Sequence, residues 1–329
     1  MRHRGEFALI DRFTRGFRRP GEGVLVGIGD DAAVLAPPPG EQLVATVDAV
    51  VEGVHFRPGA RPAGVGWKSL AVNLSDLAAM GARPLWALVA LATPRDADPA
   101  RLARIGDGLA ACARRFGVAV VGGNVTAARE LSLTVTVVGA VPRGGALLRS
   151  GGRPGDLLLV SGTLGDAARG QDPRAPPALR RRQDRPEPRL ALGQALRGLA
   201  RAAIDLSDGL LQDLGHLCEA SGTGAKVELE RLPLSAAYRR ATRGRPDAWD
   251  APLAGGEDYE LLVAVAPARL EEALAAAARC GVPLTVVGRL DRAAGVRVVK
   301  GGGGRYRPRR AGHDHLRARR VLGRGRRRA

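Results

Sequence analysis

The sequence predicts a mixed α/β (α+β) protein of two domains, and three observations carry that prediction. Eight short runs rich in Val and Leu, bounded by Gly, Pro or Asp, read as strands. Between them lie segments whose apolar residues recur at helical spacing. A boundary falls at "RSGGRPGD" (149–156), where Gly, Pro and charge interrupt the alternation before a new strand-like run. Strands and helices mixed throughout a chain of 329 residues, long enough for two cores, give this class.

In chain order, 43–51 is the first strand-like run. "GWKSLAVNLSDLAAMGA" (66–82) follows as a helix, with Trp67, Leu70, Leu74, Leu77 and Ala78 on one stripe and Gly81 near its end. A strand at 85–92, a helix at 100–116 and strands at 118–121 and 131–141 complete a first domain, residues 1–150. The second, residues 151–311, opens with a strand at 157–161. "GQDPRAPPALRRRQDRPEPRL" (170–190), rich in Pro and Arg, reads as a long surface loop. Helices at 190–201 and 208–220, a strand at 259–265, a helix at 268–280 and strands at 284–287 and 296–299 finish it. Residues 312–329 are an Arg-rich tail.

Composition bounds the function. Apolar residues make up 45% and aromatics only 3%, so the core must rest on Ala, Val and Leu. There is no run of 18 apolar residues for a membrane span, and the N-terminus has no apolar stretch before a small-residue cleavage site. Cys112, Cys218 and Cys280 lie far apart in apolar helical contexts, which points to buried free thiols in a reducing cytoplasm. The net charge of +18 points less to nucleic acid than it first suggests. Only Lys68, Lys226 and Lys300 are lysines among 51 basic residues, a lopsidedness that looks like GC-rich coding bias. Much of the charge lies past residue 300, and the final "RARRVLGRGRRRA" has no aromatic residues interleaved for base stacking.

The acids are more telling. "GIGDDAAVL" holds Asp30 and Asp31, "TVDAVV" holds Asp48, "NLSDLAAMGA" holds Asp76, "AIDLSDG" holds Asp205 and Asp208, and "GGEDYEL" holds Glu257 and Asp258. Each has a plain reading on its own: a turn residue, a helix cap, an exposed helix acid. Asp48 is harder to dismiss, because an ionised carboxylate inside an apolar strand is costly unless paired or on a metal. Acids for Mg²⁺, glycines whose N–H groups can approach phosphate and a few arginines suggest a nucleotide–metal site. The sequence has no P-loop, no protein-kinase motif set and no nucleophile elbow, and five His without ligand spacing argue against zinc.

These motifs together resemble the thiamine-monophosphate kinases, in the superfamily of aminoimidazole ribonucleotide synthetase and selenophosphate synthetase. The resemblance runs nearly end to end, through "GEFALIDRF", "GIGDDAAVL", "VEGVHF", "WKSLAVNLSDLAAMGARP", "LLRSGGRPGD", "SGTLGDAA", "AIDLSDGLLQDLGHL" and "GGEDYEL". It implies two α/β domains, with the N-terminal domains of a homodimer pairing into a β-barrel. It implies in-line transfer of the ATP γ-phosphoryl group to thiamine monophosphate, with Mg²⁺ required and K⁺ helping. By matching position, Asp31, Thr46, Asp48, Asp76, Asn124, Asp205 and Asp208 fall among the metal-binding residues. Gly123, Asn124, Arg149 and Ser207 fall on nucleotide contacts, with Asp208 and Arg149 nearest the chemistry. His55, Glu257 and His313 fall on contacts to the thiamine phosphate.

Four positions depart from the family pattern. Asn124 stands where the family has a metal-binding acid, Val125 and Val47 where it has hydroxyls, and His313 where it has a stacking aromatic. Two unit charges ~4 Å apart at an effective dielectric of ~20 interact by roughly 4 kcal/mol, so losing one carboxylate weakens a metal site. The amide oxygen still ligates Mg²⁺, without charge. These departures leave two other readings open: an enzyme of the superfamily acting on another small molecule, or a non-catalytic nucleotide-binding homologue.

Overall fold

The computed structural model describes residues 12–17 and 21–309; His313 and the expected tail lie outside them. β1 (Val24–Val26) and β2 (Val34–Leu35) pair as a small ribbon. β3 (Glu41–Val51), α1 (Pro62–Ala79), β4 (Arg83–Thr93), α2 (Pro99–Phe116), β5 (Ala119–Ala127) and β6 (Ser132–Pro142) follow. Their four strands form a sheet in the order β3-β6-β4-β5, with β4 and β5 parallel and the other pairs antiparallel.

The second half contributes β7 (Leu157–Ser161), α3 (Asp166–Gly170), α4 (Pro177–Asp184), α5 (Leu190–Ala195), β8 (Ala200–Asp205) and α6 (Leu210–Ser221). Then come β9 (Gly224–Glu228), α7 (Ala236–Thr242), α8 (Asp250–Ala254), β10 (Leu261–Val265), α9 (Leu270–Arg279), β11 (Leu284–Asp291), β12 (Gly295–Val299) and β13 (Arg305–Tyr306). Seven of these strands make a mixed sheet in the order β13-β12-β9-β11-β7-β10-β8.

Helix α1 is the centre of the molecule. Fifteen of its 18 residues are buried, including Lys68, Ser69, Asn73 and Ser75, so it is covered on every side rather than along one stripe. It packs on α2, on the four-stranded sheet, on α5 and on β8 of the second sheet. Close approach to α2 depends on glycine: a Cβ at Gly66 would sit 1.8 Å from the Ile105 carbonyl oxygen, and one at Gly108 2.0 Å from that of Ala63. Gly66→Ala is therefore expected to cost about 1–3 kcal/mol through overpacking, seen as a lower denaturant midpoint with an unchanged slope; an unaltered midpoint would show that the helices can part freely.

Local pattern and tertiary structure part company in four places. The run 190–201 is helical only to Ala195; Ala200–Asp205 is a strand because it pairs with β10. Its alanines carry a helical propensity that this pairing overrides. Strand β5 continues through Gly122, Gly123 and Asn124 to Ala127, where β4 supplies its partner. The expected surface loop at 170–190 contains α4 and is tied down: Trp67 Nε1 donates to the Pro186 carbonyl (2.8 Å), and Arg182 and Arg189 both reach buried Glu260. Cys112 and Cys218 are buried free thiols, whereas Cys280 is only partly buried.

Candidate active site

Between the two sheets lies a cavity of about 240 Å³ lined by Asp48, Val54, His55, Asp76, Arg149, Gln171, Asp205, Ser207, Asp208, Gly256, Glu257 and Tyr259. Eight of the residues expected from the sequence meet here: four carboxylates, Ser207, Arg149, His55 and Glu257. Thr46 joins them by donating from its hydroxyl to Asp76 Oδ2 at 2.6 Å.

The two halves of the chain supply the walls by different means. β3 presents Thr46 and Asp48 on the face that looks toward α1, and α1 supplies Asp76 from its last turn. Ser75, one residue earlier on α1, donates to Asp205 Oδ2 at 2.8 Å and so joins the end of β8 to the helix. Beyond β8 the chain turns at Gly209 (φ 111°) into α6. The turn is held by the third acid of "AIDLSDGLLQD": Asp213 accepts from the backbone N–H groups of Asp208 and Gly209, both at 3.1 Å. Asp208 is thus spared from capping, and among the described residues its Oδ2 accepts only a side-chain bond from Gln212 Nε2 at 3.1 Å.

Opposite stands "GGEDYE". Glu257 (φ 72°) and Tyr259 (φ 50°) are the only described non-glycine residues in the left-handed region. Such strain persists where the surroundings over-determine it, and it gathers at functional sites. Here the Glu257 N–H donates to Ser207 O (2.7 Å) and the Tyr259 N–H to Leu206 O (2.8 Å), laying the loop along the "DLSD" segment. Asp258 turns the other way and accepts from the N–H groups of Gly165 and Ala167.

Electrostatically the cavity is under strain from like charge. Burial, then the neighbouring Asp76 and Asp208, raise Asp48 to about 6. Burial also raises Asp76 against the opposing effects of the Thr46 hydrogen bond and the Arg149 charge. Asp205 is pushed well up, chiefly by burial and then by Asp76. The acids therefore lack sufficient positive charge, which is the condition a divalent cation relieves. Among the described residues, no three His, Cys, Asp or Glu side chains form a closed, preformed metal centre.

Three expected residues lie elsewhere. Asp31, Gly123 and Asn124 line a second cavity of about 630 Å³ with Ile28, Leu88, Thr134 and Thr136. Asn124 is registered with Ala90 and, through it, Thr134, whereas Asp48 is registered with Val135. Adjacent positions point to opposite faces of a sheet, so Asn124 faces away from Asp48. The sheet order places it three strands away, roughly 14 Å by ordinary strand spacing. Within one chain the expected metal ligands therefore form two groups. Asp30 is a turn residue, its Oδ1 accepting from the Asp31 N–H at 2.8 Å. Val47 is exposed on the outer face, and Val125 packs partly buried against the core.

Sequence reasoning passed over Lys68 and Gln171. Lys68 is 2% exposed and donates to Glu257 Oε1 at 2.5 Å; Gln171 Nε2 donates to Glu257 Oε2 at 3.2 Å. One signal for Lys68 was present: it is one of three lysines in a chain that otherwise uses arginine, set in an apolar helix.

The chain has clear relatives among known proteins. The family model for the AIR synthase related protein N-terminal domain matches residues 29–141, and that for the C-terminal domain matches residues 153–301. Thiamine-monophosphate kinase of Escherichia coli K12 is 43% identical over 296 residues, covering 87% of this chain and 90% of the relative. The crystal structure of thiamine-monophosphate kinase from Stenotrophomonas maltophilia K279a superposes with a TM-score of 0.81 at 45% identity, covering 89% of this chain and 96% of that one. AaThiL complexed with AMPPCP and TMP gives a TM-score of 0.75 at 31% identity, covering 94% and 97%.

Proposed function

The chain belongs to the thiamine-monophosphate kinases of the AIR synthase related family, and from that premise we infer that it transfers the γ-phosphoryl group of ATP to thiamine monophosphate, giving thiamine diphosphate and ADP. The observation that carries this for the chain's own residues is the meeting of Asp48, Asp76, Asp205 and Asp208 with Arg149 and Ser207 in one cavity between the two sheets.

Phosphoryl transfer asks a protein mainly for positioning and charge neutralisation. The residues fit Mg²⁺: all donors are oxygens, burial raises Asp48, Asp76 and Asp205, and neighbouring acids raise Asp48 and Asp205 further. Asp48, Asp76, Asp205 and Asp208 would hold it, with Thr46 orienting Asp76. Bound Mg²⁺ supplies neutralisation of the phosphate charges that build up during transfer. Arg149 offers a fork of N–H donors to phosphate oxygens, and Ser207 a hydroxyl. His55 Nδ1 accepts from the Val51 N–H at 3.1 Å, which fixes the ring in the wall of the cavity beside the acceptor. Glu257 lines the same wall and carries the opposite sign, complementary to the cationic ring of thiamine. K⁺ as a second cation rests on the resemblance.

The assembly we propose is a homodimer joined through the outer face of the four-stranded sheet, where Leu43, Val47 and Leu88 are exposed. Burying such residues is the usual reason for exposing them. The cavity holding Asp31, Gly123 and Asn124 opens on this face, so pairing would enclose it and bring it into nucleotide binding. The division we propose runs 1–150, 151–311 and a 312–329 tail. The cytoplasm is the proposed location, in keeping with free thiols at Cys112, Cys218 and Cys280. Among the described residues no helix is long and apolar enough to cross a membrane.

The test is turnover: purified protein with ATP, Mg²⁺, K⁺ and thiamine monophosphate, with thiamine diphosphate read directly. Product proportional to enzyme supports the reading; ATP binding without product over a wide Mg²⁺ range overturns it. Asn124→Asp should lower the Mg²⁺ concentration needed for half-maximal rate severalfold, because it adds a charge to the cavity that Asp31 also lines. An unchanged Mg²⁺ dependence would remove Asn124 from the metal-binding set.

A further inference from the structure

We propose that Lys68, which does not line the active cavity, is the positioning residue that assembles its acceptor wall. This deepens the kinase reading and rests on it for the identity of the acceptor. Lys68 sits on the buried helix α1, and its ammonium meets three acceptors from three separate segments. It donates to Glu257 Oε1 (2.5 Å) in the strained loop of the second half and to the His55 carbonyl oxygen (3.0 Å) in the turn after β3. The third acceptor is Gln183 of α4: with its amide oriented to satisfy both groups, the oxygen accepts from Lys68 Nζ at 3.2 Å while the nitrogen donates to Asp184 Oδ1 at 2.8 Å.

An ammonium has three donors and no acceptor, and here all three are used. That accounts for a lysine at this point in a chain whose other basic residues are almost all arginine. A guanidinium is a planar fork, and it cannot direct three bonds from one nitrogen toward acceptors spread around it.

The three partners matter because two of them carry the cavity's acceptor side. Glu257 holds φ 72°, and its two carboxylate oxygens are fixed by Lys68 and Gln171. His55 is set twice, through its carbonyl by Lys68 and through Nδ1 by the Val51 N–H. The metal-side acids, by contrast, are held by Thr46, Ser75, Gln212 and Asp213, none of which touches Lys68. Lys68 should therefore govern the acceptor and leave the nucleotide side alone.

The experiment compares wild type with Lys68→Met and Lys68→Arg by kinetics and by hydrogen exchange. The proposal expects KM for thiamine monophosphate to rise at least tenfold in both variants, with KM for ATP changed less than twofold. It also expects faster amide exchange in residues 53–57 and 255–260, with α2 unchanged. Equal loss for both substrates, or arginine behaving as wild type, overturns it. Should Lys68→Met fail to fold, Lys68→Arg keeps the charge and carries both readouts. Exchange is measured without substrate, so unchanged rates in both segments overturn the proposal even if the substrate proves different. Absence of wild-type turnover with thiamine monophosphate would count against the kinase reading instead, leaving the exchange result to decide the role of Lys68.

Discussion

Asp208→Ala should lower the rate of thiamine diphosphate formation by roughly a thousandfold, the scale of losing one preorganised electrostatic contact in a dry site, while the protein stays folded. Asp208 stands at the turn from β8 into α6, beside Ser207 and facing Asp48, and its carboxylate accepts from no backbone group among the described residues. The turn is secured by Asp213, which binds the N–H groups of residues 208 and 209 whatever side chain stands at 208. Function and support are thus separated within six residues, and the substitution removes only the first. Turnover and thermal unfolding measured side by side check this. A loss below tenfold, or a collapse in melting temperature that accounts for the lost rate, would show that Asp208 serves the fold instead.

The second large effect concerns pH, Mg²⁺ and stability together. Asp48 titrates near 6 in the folded chain against 3.8 for an unperturbed carboxyl. Between those values the folded chain keeps a proton that the unfolded chain has released, so the contribution of Asp48 to stability falls as pH rises through this window. Asp205 and Asp76, also raised, act in the same direction. The cation-free protein should therefore be less stable at pH 7.5 than at pH 5 on account of this cluster. Mg²⁺ with nucleotide should raise the melting temperature more at pH 7.5 than at pH 5, where protons compete for the same oxygens.

Asp48→Asn should mimic the proton. It is expected to raise the cation-free melting temperature at pH 7.5 by roughly 1–2 °C, the shift that about 1 kcal/mol gives at this size, while cutting turnover by at least a hundredfold. Calorimetry at the two pH values, with and without Mg²⁺, decides the matter. Equal Mg²⁺ shifts at both pH values, or an Asp48→Asn variant no more stable than wild type, would mean that the acids are already relieved by something else. Arg149 is the nearest candidate, since its charge already lowers Asp76.

Both effects concern residues that could be picked out before any coordinates. An aspartate inside "TVDAVV" or three acids in "AIDLSDGLLQD" are local anomalies in charge and hydropathy, and a linear pattern exposes such anomalies. The same pattern left the roles of two of them open. Asp208 has a cap's place in the sequence, yet Asp213, one helical turn further on, makes the bonds. Periodicity also missed β8, because "ARAAID" is made of residues that favour a helix until β10 lies beside them. It read 170–190 as a surface loop, since Pro and Arg give no hint of buried Glu260 waiting for Arg182 and Arg189.

What the sequence determined by itself is the chemistry available: a family of motifs in fixed order, oxygen donors for a hard cation, glycines at sharp turns and the alternation of strands and helices. These are properties of short segments, and short segments carry them intact. What only the tertiary structure decided is which groups face one another. The pleat and the order of four strands set Asp48 on the helix side of its sheet and Asn124 on the outer side, although both stand in strands of similar appearance. Three chain segments, one of them 189 residues from Lys68, bring it its acceptors, and no window of sequence spans them. Side-chain direction in a sheet depends on register, and hydrogen-bond partners in a core depend on packing, so both are fixed only when distant parts of the chain meet.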